Sequence, residues 1–142
     1  MKRRVFMGLI GGAVASALAP HRSAAQAYPT RPVTLVIPFP PGGGNDALGR
    51  MVADKMSKSL GQQIVVENRG GAGGTIATRA VAKSAPDGHT ILLAYTGTLA
   101  INPSLYANPG YDPRKDFTPI GLIGALSSVL VVHPSLPVRS VA

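Results

Sequence analysis

The sequence predicts an α/β protein with a mainly parallel sheet, and three observations lead there. Strand-like runs at Val33–Ile37, Gln63–Asn68 and Thr90–Tyr95 alternate with two stretches of helical periodicity. The first run, VTLVI, is nearly continuously apolar, the pattern of a strand buried on both faces as in a parallel sheet. The connections are short and rich in Gly and Pro, so the order is β-α-β-α-β with parallel crossovers.

Each element follows from its residues. After Val33–Pro38 comes a Pro/Gly turn, Phe39–Gly44, and a helix opening near Asn45–Asp46. Leu48, Met51, Val52, Met56 and Leu60 recur at three- and four-residue steps, which predicts their common burial, and Gly61 stops the helix. The second strand is followed by another glycine turn, Arg69–Gly74. Thr75 then opens a second helix with Ile76, Ala80, Val81 and Ala82 predicted inward and Arg79 and Lys83 outward. Pro86-Asp87-Gly88 is a turn before the third strand. Thr96–Tyr106 begins with a turn or two of helix that Pro103 interrupts, and Ala107–Thr118 is loop. Pro119–Leu126 and Ser128–His133 carry the composition of two more strands, Ser135–Arg139 is loop, and Ser140 resembles a helix N-cap.

The composition narrows the function. Among 142 residues there is no cysteine, so disulfides and thiolate metal sites are ruled out. The three histidines, His21, His89 and His133, have no ligand spacing, and neither a metal nor a cofactor is expected. The formal charge of +8 falls to +4 without Lys2, Arg3, Arg4 and Arg22, which leaves dispersed cations and few aromatics. Nucleic-acid binding is not expected from that pattern.

Met1–Ala27 has the parts of an export signal: basic Lys2-Arg3-Arg4, an apolar Val5–Pro20, and Ala25-Gln26-Ala27 before the expected cleavage. The apolar part is too short and too weakly apolar for a membrane span of about 20 residues. Either the general or the twin-arginine route fits the Arg3-Arg4 start, and both export the chain.

The chemistry is carried by VIPFPPGGGNDALGR. Glycines let a bound group approach the backbone, and the following helix turns its free N–H groups and positive dipole end into the turn. Gly42-Gly43-Gly44-Asn45-Asp46-Ala47 also satisfies G-x-G-x-x-A, with Glu67 ending the second strand where a ribose-binding acid belongs. An exported dinucleotide-binding oxidoreductase is therefore the competing reading. Against it stand the Phe39-Pro40-Pro41 spacer, the export signal and the lack of a hydride-transfer acid or base. No Lys-Ser or Lys-Thr follows either glycine turn, which excludes a phosphate-gripping loop, and there is no G-x-S-x-G. The favoured anion is a carboxylate, bound without catalysis. In isolation, Asn45 and Asp46 have a plainer role as helix N-cap and helix-start acid. Asp46 beside an anion site is acceptable if it orients backbone amides or accepts hydrogen bonds from bridging waters. Asn102 has a plainer role in a turn before Pro103, and Tyr95 and Thr96 as a strand end.

From about Tyr28 onward the chain resembles the periplasmic receptors of tripartite tricarboxylate transporters, the Bug family. The likeness is carried in order by YPTRPVTLVIPFPPGGGNDALGR, VVENRGGAGGTIATRAVAKSAPDGHTILLA, INPSLY, YDPRKDFTPIGLI and VLVVHPSLPVRSV. It implies a periplasmic-binding-protein type II-like lobe, truncated before a second lobe. Residues 28–127 would be the partial first lobe, and 128–142 the crossover strand and start of the second. It also implies that a small organic carboxylate (a di- or tricarboxylate, an amino acid or an aromatic acid) is held in the cleft and passed to membrane permease subunits. The loop positions it implies are Pro41, Gly42, Gly43, Gly44, Asn45 and Asp46 in the first loop, with Tyr95, Thr96, Gly97 and Asn102 in the loop after the third strand. Asn45 departs from the Thr or Ser of many members. A non-functional shortened product is a further alternative.

Overall fold

The computed structural model describes residues 28–125, 130–138 and 140; the expected signal at 1–27 lies outside them. Three strands, β1 (Val33–Ile37), β2 (Ile64–Asn68) and β3 (Thr90–Leu92), form one sheet in the order β2-β1-β3. Both pairings are parallel, with Val33 opposite Ile64 in one ladder and Thr34 opposite Thr90 in the other. The predicted β-α-β-α-β order therefore holds.

The apolar run of β1 is explained by its central place. Successive side chains of a strand point to opposite faces. Val33, Leu35 and Ile37 join Ala53, Ile64 and Leu93 in one buried cluster, under helix α1 (Gly44–Leu60). Val36 instead joins Ala77 and Val81 of helix α2 (Thr75–Ala82), with Leu92 and Phe117 alongside. Each face of β1 thus has its own helix.

The helix faces match the expected periodicity in part: Met56 and Leu60 pack against the core cluster and Val81 is buried, but Met51 and Ile76 turn outward. Met51 is 58% exposed, and the buried positions of α1 are Asp46, Gly49 and Ala53. Small side chains lie against the sheet because the helix approaches closely: a Cβ on Gly49 would stand 2.5 Å from Ile37 Cδ1. On α2, Ile76 is exposed, whereas Thr75, Ala77, Thr78 and Val81 are buried. Thr78 tolerates burial because its hydroxyl donates to the Gly74 carbonyl one turn earlier (2.9 Å). Hydrophobicity alone ranks Ile above Thr and so misplaces this face.

Gly61 ends α1 in the left-handed conformation (φ 67°), its N–H donating to Ser57 O. Beyond β3, residues Gly97–Ile101 form a wide i→i+5 turn that runs directly into a short helix, α3 (Asn102–Leu105). Pro103 therefore does not break the helix. It lies in the first turn of α3, where a missing N–H costs little.

The two further strands expected at 119–133 are not formed among the described residues. Ile120, Leu122, Leu130 and Val131 are instead highly exposed. Their composition suits a strand, but a strand also needs an edge to pair with. Residues 126–129 lie outside the described set.

The close approach of α1 is testable. Gly49→Leu should destabilise the fold by about 1–3 kcal/mol through overpacking against Ile37 and Leu93. An unchanged urea midpoint would show that α1 does not sit against β1 and β3 as described.

Candidate functional site

In a β2-β1-β3 order, the chain leaves β1 toward one side and returns to form β3 on the other. The crevice of an open α/β sheet lies at the carboxyl ends of its strands, where that order reverses. Here this places Phe39–Gly44 beside Ala94–Gly97, so the two predicted loops share one end of the sheet.

The first loop is built around Asp46. This side chain is buried, with the residue only 5% exposed. Its Oδ2 accepts from the Gly42 N–H (2.9 Å) and from Arg50 Nε (3.1 Å), and its Oδ1 from Asn68 Nδ2 (2.9 Å). Asn68 also donates to Phe39 O (3.1 Å), and its Oδ1 accepts from Arg50 Nη2 (3.2 Å). One carboxylate thereby fixes the turn after β1, the first turn of α1 and the end of β2. The bond from Arg50 is the main reason its pKa falls to about 2, with the Gly42 and Asn68 bonds adding to it.

Asp46 thus orients a backbone amide, as anticipated, and Arg50 neutralises its charge. The dipole end of α1 remains positive beside it. The first intrahelical bond runs from Ala47 N to Gly43 O (3.0 Å). The N–H groups of Gly44, Asn45 and Asp46 therefore have no acceptor within the helix. Asn45 is not the N-cap, because the helix begins one residue earlier and Gly43 holds that position with no side-chain cap. Pro41, Gly42, Gly43 and Gly44 are exposed. A Cβ on Gly43 would meet open space.

The second predicted group has a different character. Thr96 is exposed, whereas Gly97 is buried and a Cβ there would overlap the Tyr95 ring. Tyr95 donates its hydroxyl to Gly73 O (2.8 Å). Asn102 is not held in a turn before Pro103. It is buried, and its Nδ2 donates both to Gly73 O (2.8 Å) and to Thr75 Oγ1 (3.0 Å). Both side chains therefore reach back to the second glycine turn, which sequence reasoning left out of the site. The available signal was topological: a turn after β2 must lie at the same sheet end as the turns after β1 and β3.

That second turn packs on the first. A Cβ on Gly70 would lie 3.1 Å from Pro40 Cδ, and one on Gly74 would lie 3.0 Å from Pro38 Cβ. The Phe39 and Tyr95 rings are 4.7 Å apart between centroids. Arg50, Asn68, Gly73 and Thr75 are thus structural members of the site that were not anticipated. Glu67 points elsewhere: it pairs with Arg69 (2.5 Å) and lines a cavity of about 200 Å³ with Val81 and Ser84 of the α2 side. It does not face the first glycine turn, as a ribose-binding acid would need to. A larger cavity, about 530 Å³, lies between Leu99, Pro103, Tyr111 and Arg114. Tyr111 itself is packing, with its hydroxyl donated to Thr98 O (2.6 Å) and burial raising its pKa.

Comparison with known proteins bears on the family and the fold. The model of the tripartite tricarboxylate transporter family receptor matches residues 48–142. Protein BugT of Bordetella pertussis is 42% identical over 135 residues, which are 94% of this chain and 41% of BugT. The structure of periplasmic binding protein BugD superposes with a TM-score of 0.64 at 53% identity, over 66% of this chain and 31% of that one. MatC from Rhodopseudomonas palustris, solved with bound malate, gives a TM-score of 0.65 at 46% identity, over 68% and 33%. The chain thus spans about two fifths of BugT's length, and its α/β fold with a parallel sheet is that of a periplasmic binding protein.

The Asp46 cluster has a pH signature. A carboxyl whose folded pKa lies below its ordinary 3.8 adds stability above that value and loses it as pH falls toward about 2. Asp87 and Asp112 are lowered too and share in the acid loss. Asp46→Asn should therefore be less stable than wild type at pH 6, with the gap closing between about pH 4 and pH 2. A gap independent of pH, measured by urea unfolding, would contradict the charged cluster.

Proposed function

Because the chain belongs to the tripartite tricarboxylate transporter receptor family, we propose that it supplies one wall of a cleft that binds a small organic carboxylate. The observation that carries this is the first glycine turn. It presents unclaimed helix N–H groups at the sheet's switch point, while the one acid beside them is neutralised by Arg50. Such a turn receives an anion through backbone donors. MatC holding malate is the supporting parallel, and in this reading the ligand here is likewise a carboxylate without catalysis.

The remaining parts of the proposal are coarser. Residues 28–127 form part of the first lobe, and 128–142 cross toward a second. The opposing wall belongs to the length that the relatives carry outside the matched portion. The receptor works in the periplasm, exported by a signal cleaved after Ala27, and delivers its solute to membrane permease subunits.

Gly43→Val separates this reading from a purely structural turn. Its Cβ meets nothing within 4 Å, and φ is −85°, so the fold accepts it. The new side chain nevertheless stands in front of the helix N–H groups. In a receptor of full family length carrying this sequence, Gly43→Val and Asp46→Ala should each weaken carboxylate binding at least about tenfold by calorimetry, the scale of one charge-assisted hydrogen bond. Unchanged affinity in both reduces the loop to a turn. Stabilisation by a dinucleotide, with no response to a carboxylate panel, would favour the oxidoreductase reading.

A further inference from the structure

We propose that Tyr95 and Asn102 are positioning residues that act through the Gly73 carbonyl, holding the second glycine turn against the first, rather than contacts to the ligand. The proposal rests on the carboxylate-cleft reading for its function but on separate geometry for its mechanism.

The second turn is strained at Ala72. Gly71, Gly73 and Gly74 have φ of 122°, 57° and 80°, which glycine adopts freely, but Ala72 between them has φ 46°, a region that residues with a Cβ rarely adopt. A strained residue flanked by three free glycines keeps one shape only when its surroundings hold it there. Those surroundings converge on one atom. Tyr95 Oη and Asn102 Nδ2 both donate to Gly73 O at 2.8 Å, using both of its lone pairs. Asn102 extends the grip to Thr75 Oγ1, the first residue of α2. Tyr111, whose hydroxyl holds Thr98 O in the wide turn, backs the same layer.

The consequence reaches the first loop by contact. Gly70 lies under Pro40, and Gly74 fits between Pro38, Thr98 and Tyr95 with no space for a Cβ. Phe39 packs at a tilt of 58° against the Tyr95 ring. Pro38, Phe39 and Pro40 lead directly into Pro41–Asp46, so displacing the second turn removes the floor beneath the anion-binding amides. Asn102 has its amide nitrogen committed to two protein acceptors and is buried, a poor arrangement for a primary ligand contact.

The test is amide hydrogen exchange on the ligand-free chain, with Tyr95→Phe, Asn102→Ala and the double variant. Tyr95→Phe keeps the ring and removes only the hydroxyl, which guards against general unfolding. The readout is the amides that are hydrogen-bonded in these turns: Gly42 (to Asp46), Ala47 (to Gly43 O) and Gly74 (to Gly71 O). Their exchange should quicken about tenfold in each single variant, and by more than the product of the two in the double variant, since either donor alone still partly holds the carbonyl. β1 and β2 should keep their protection. Unaltered exchange at Gly42 and Ala47 in a folded double variant overturns the proposal, as does strictly independent behaviour of the two substitutions. Malate titration of the wild-type receptor is run in parallel. Failure of malate and every other carboxylate to bind would sink the carboxylate reading, while the exchange result still decides whether the clamp exists.

Discussion

The candidate site depends on one constraint: a buried carboxylate must find enough donors to remain charged. Asp46 meets it with the Gly42 amide, Arg50 and Asn68. Removing any one would leave a buried charge short of a partner, which costs more than the bond itself was worth. The three donors come from the turn after β1, the first helix and the end of β2. Satisfying the acid therefore fixes the relative placement of all three segments. The same cluster commits the Gly42 N–H to Asp46, while the N–H groups of Gly44, Asn45 and Asp46 keep no acceptor within the helix.

This cluster works only because the strands are parallel and adjacent. Ile37 pairs with Asn68 in register, so the two strands end at the same level and Asn68 can reach both Asp46 and the Phe39 carbonyl. Sheet topology then brings the third loop alongside. With β1 central and its neighbours on either side, all three turns after the strands gather at one end. Packing of prolines against glycines converts that proximity into contact. Gly70 against Pro40 and Gly74 against Pro38 are the points where the two turns meet.

Much of this was legible in the sequence. The β-α-β-α-β succession, both glycine turns, the start of α1 to within a residue or two and the C-terminal role of Gly61 follow from local chemistry. What escaped is long-range. That Asn102 reaches Gly73, 29 residues earlier, is a property of the assembled sheet and has no local signature. Helix faces were misassigned where the approach of backbone to backbone overrides hydrophobicity, as at Gly49, or where a threonine hydroxyl is satisfied internally, as at Thr78. At Ile120 and Leu122 the composition of a strand was present without a neighbouring edge, and local pattern alone cannot supply one.

The division of labour at the site bears on what such a receptor can discriminate. The donors offered by the first turn are backbone N–H groups at a helix start, and the side chains around them are spent on one another. Arg50 and Asn68 serve Asp46, while Tyr95 and Asn102 serve Gly73. A backbone cradle of this kind recognises a carboxylate group and its placement, and is indifferent to what the carboxylate is attached to. Discrimination among solutes needs side-chain contacts or shape elsewhere in the cleft. In the proposed carboxylate cleft, the first turn would set the class of ligand and the opposing wall would select the individual solute. Receptors sharing this turn can then differ in substrate without altering it.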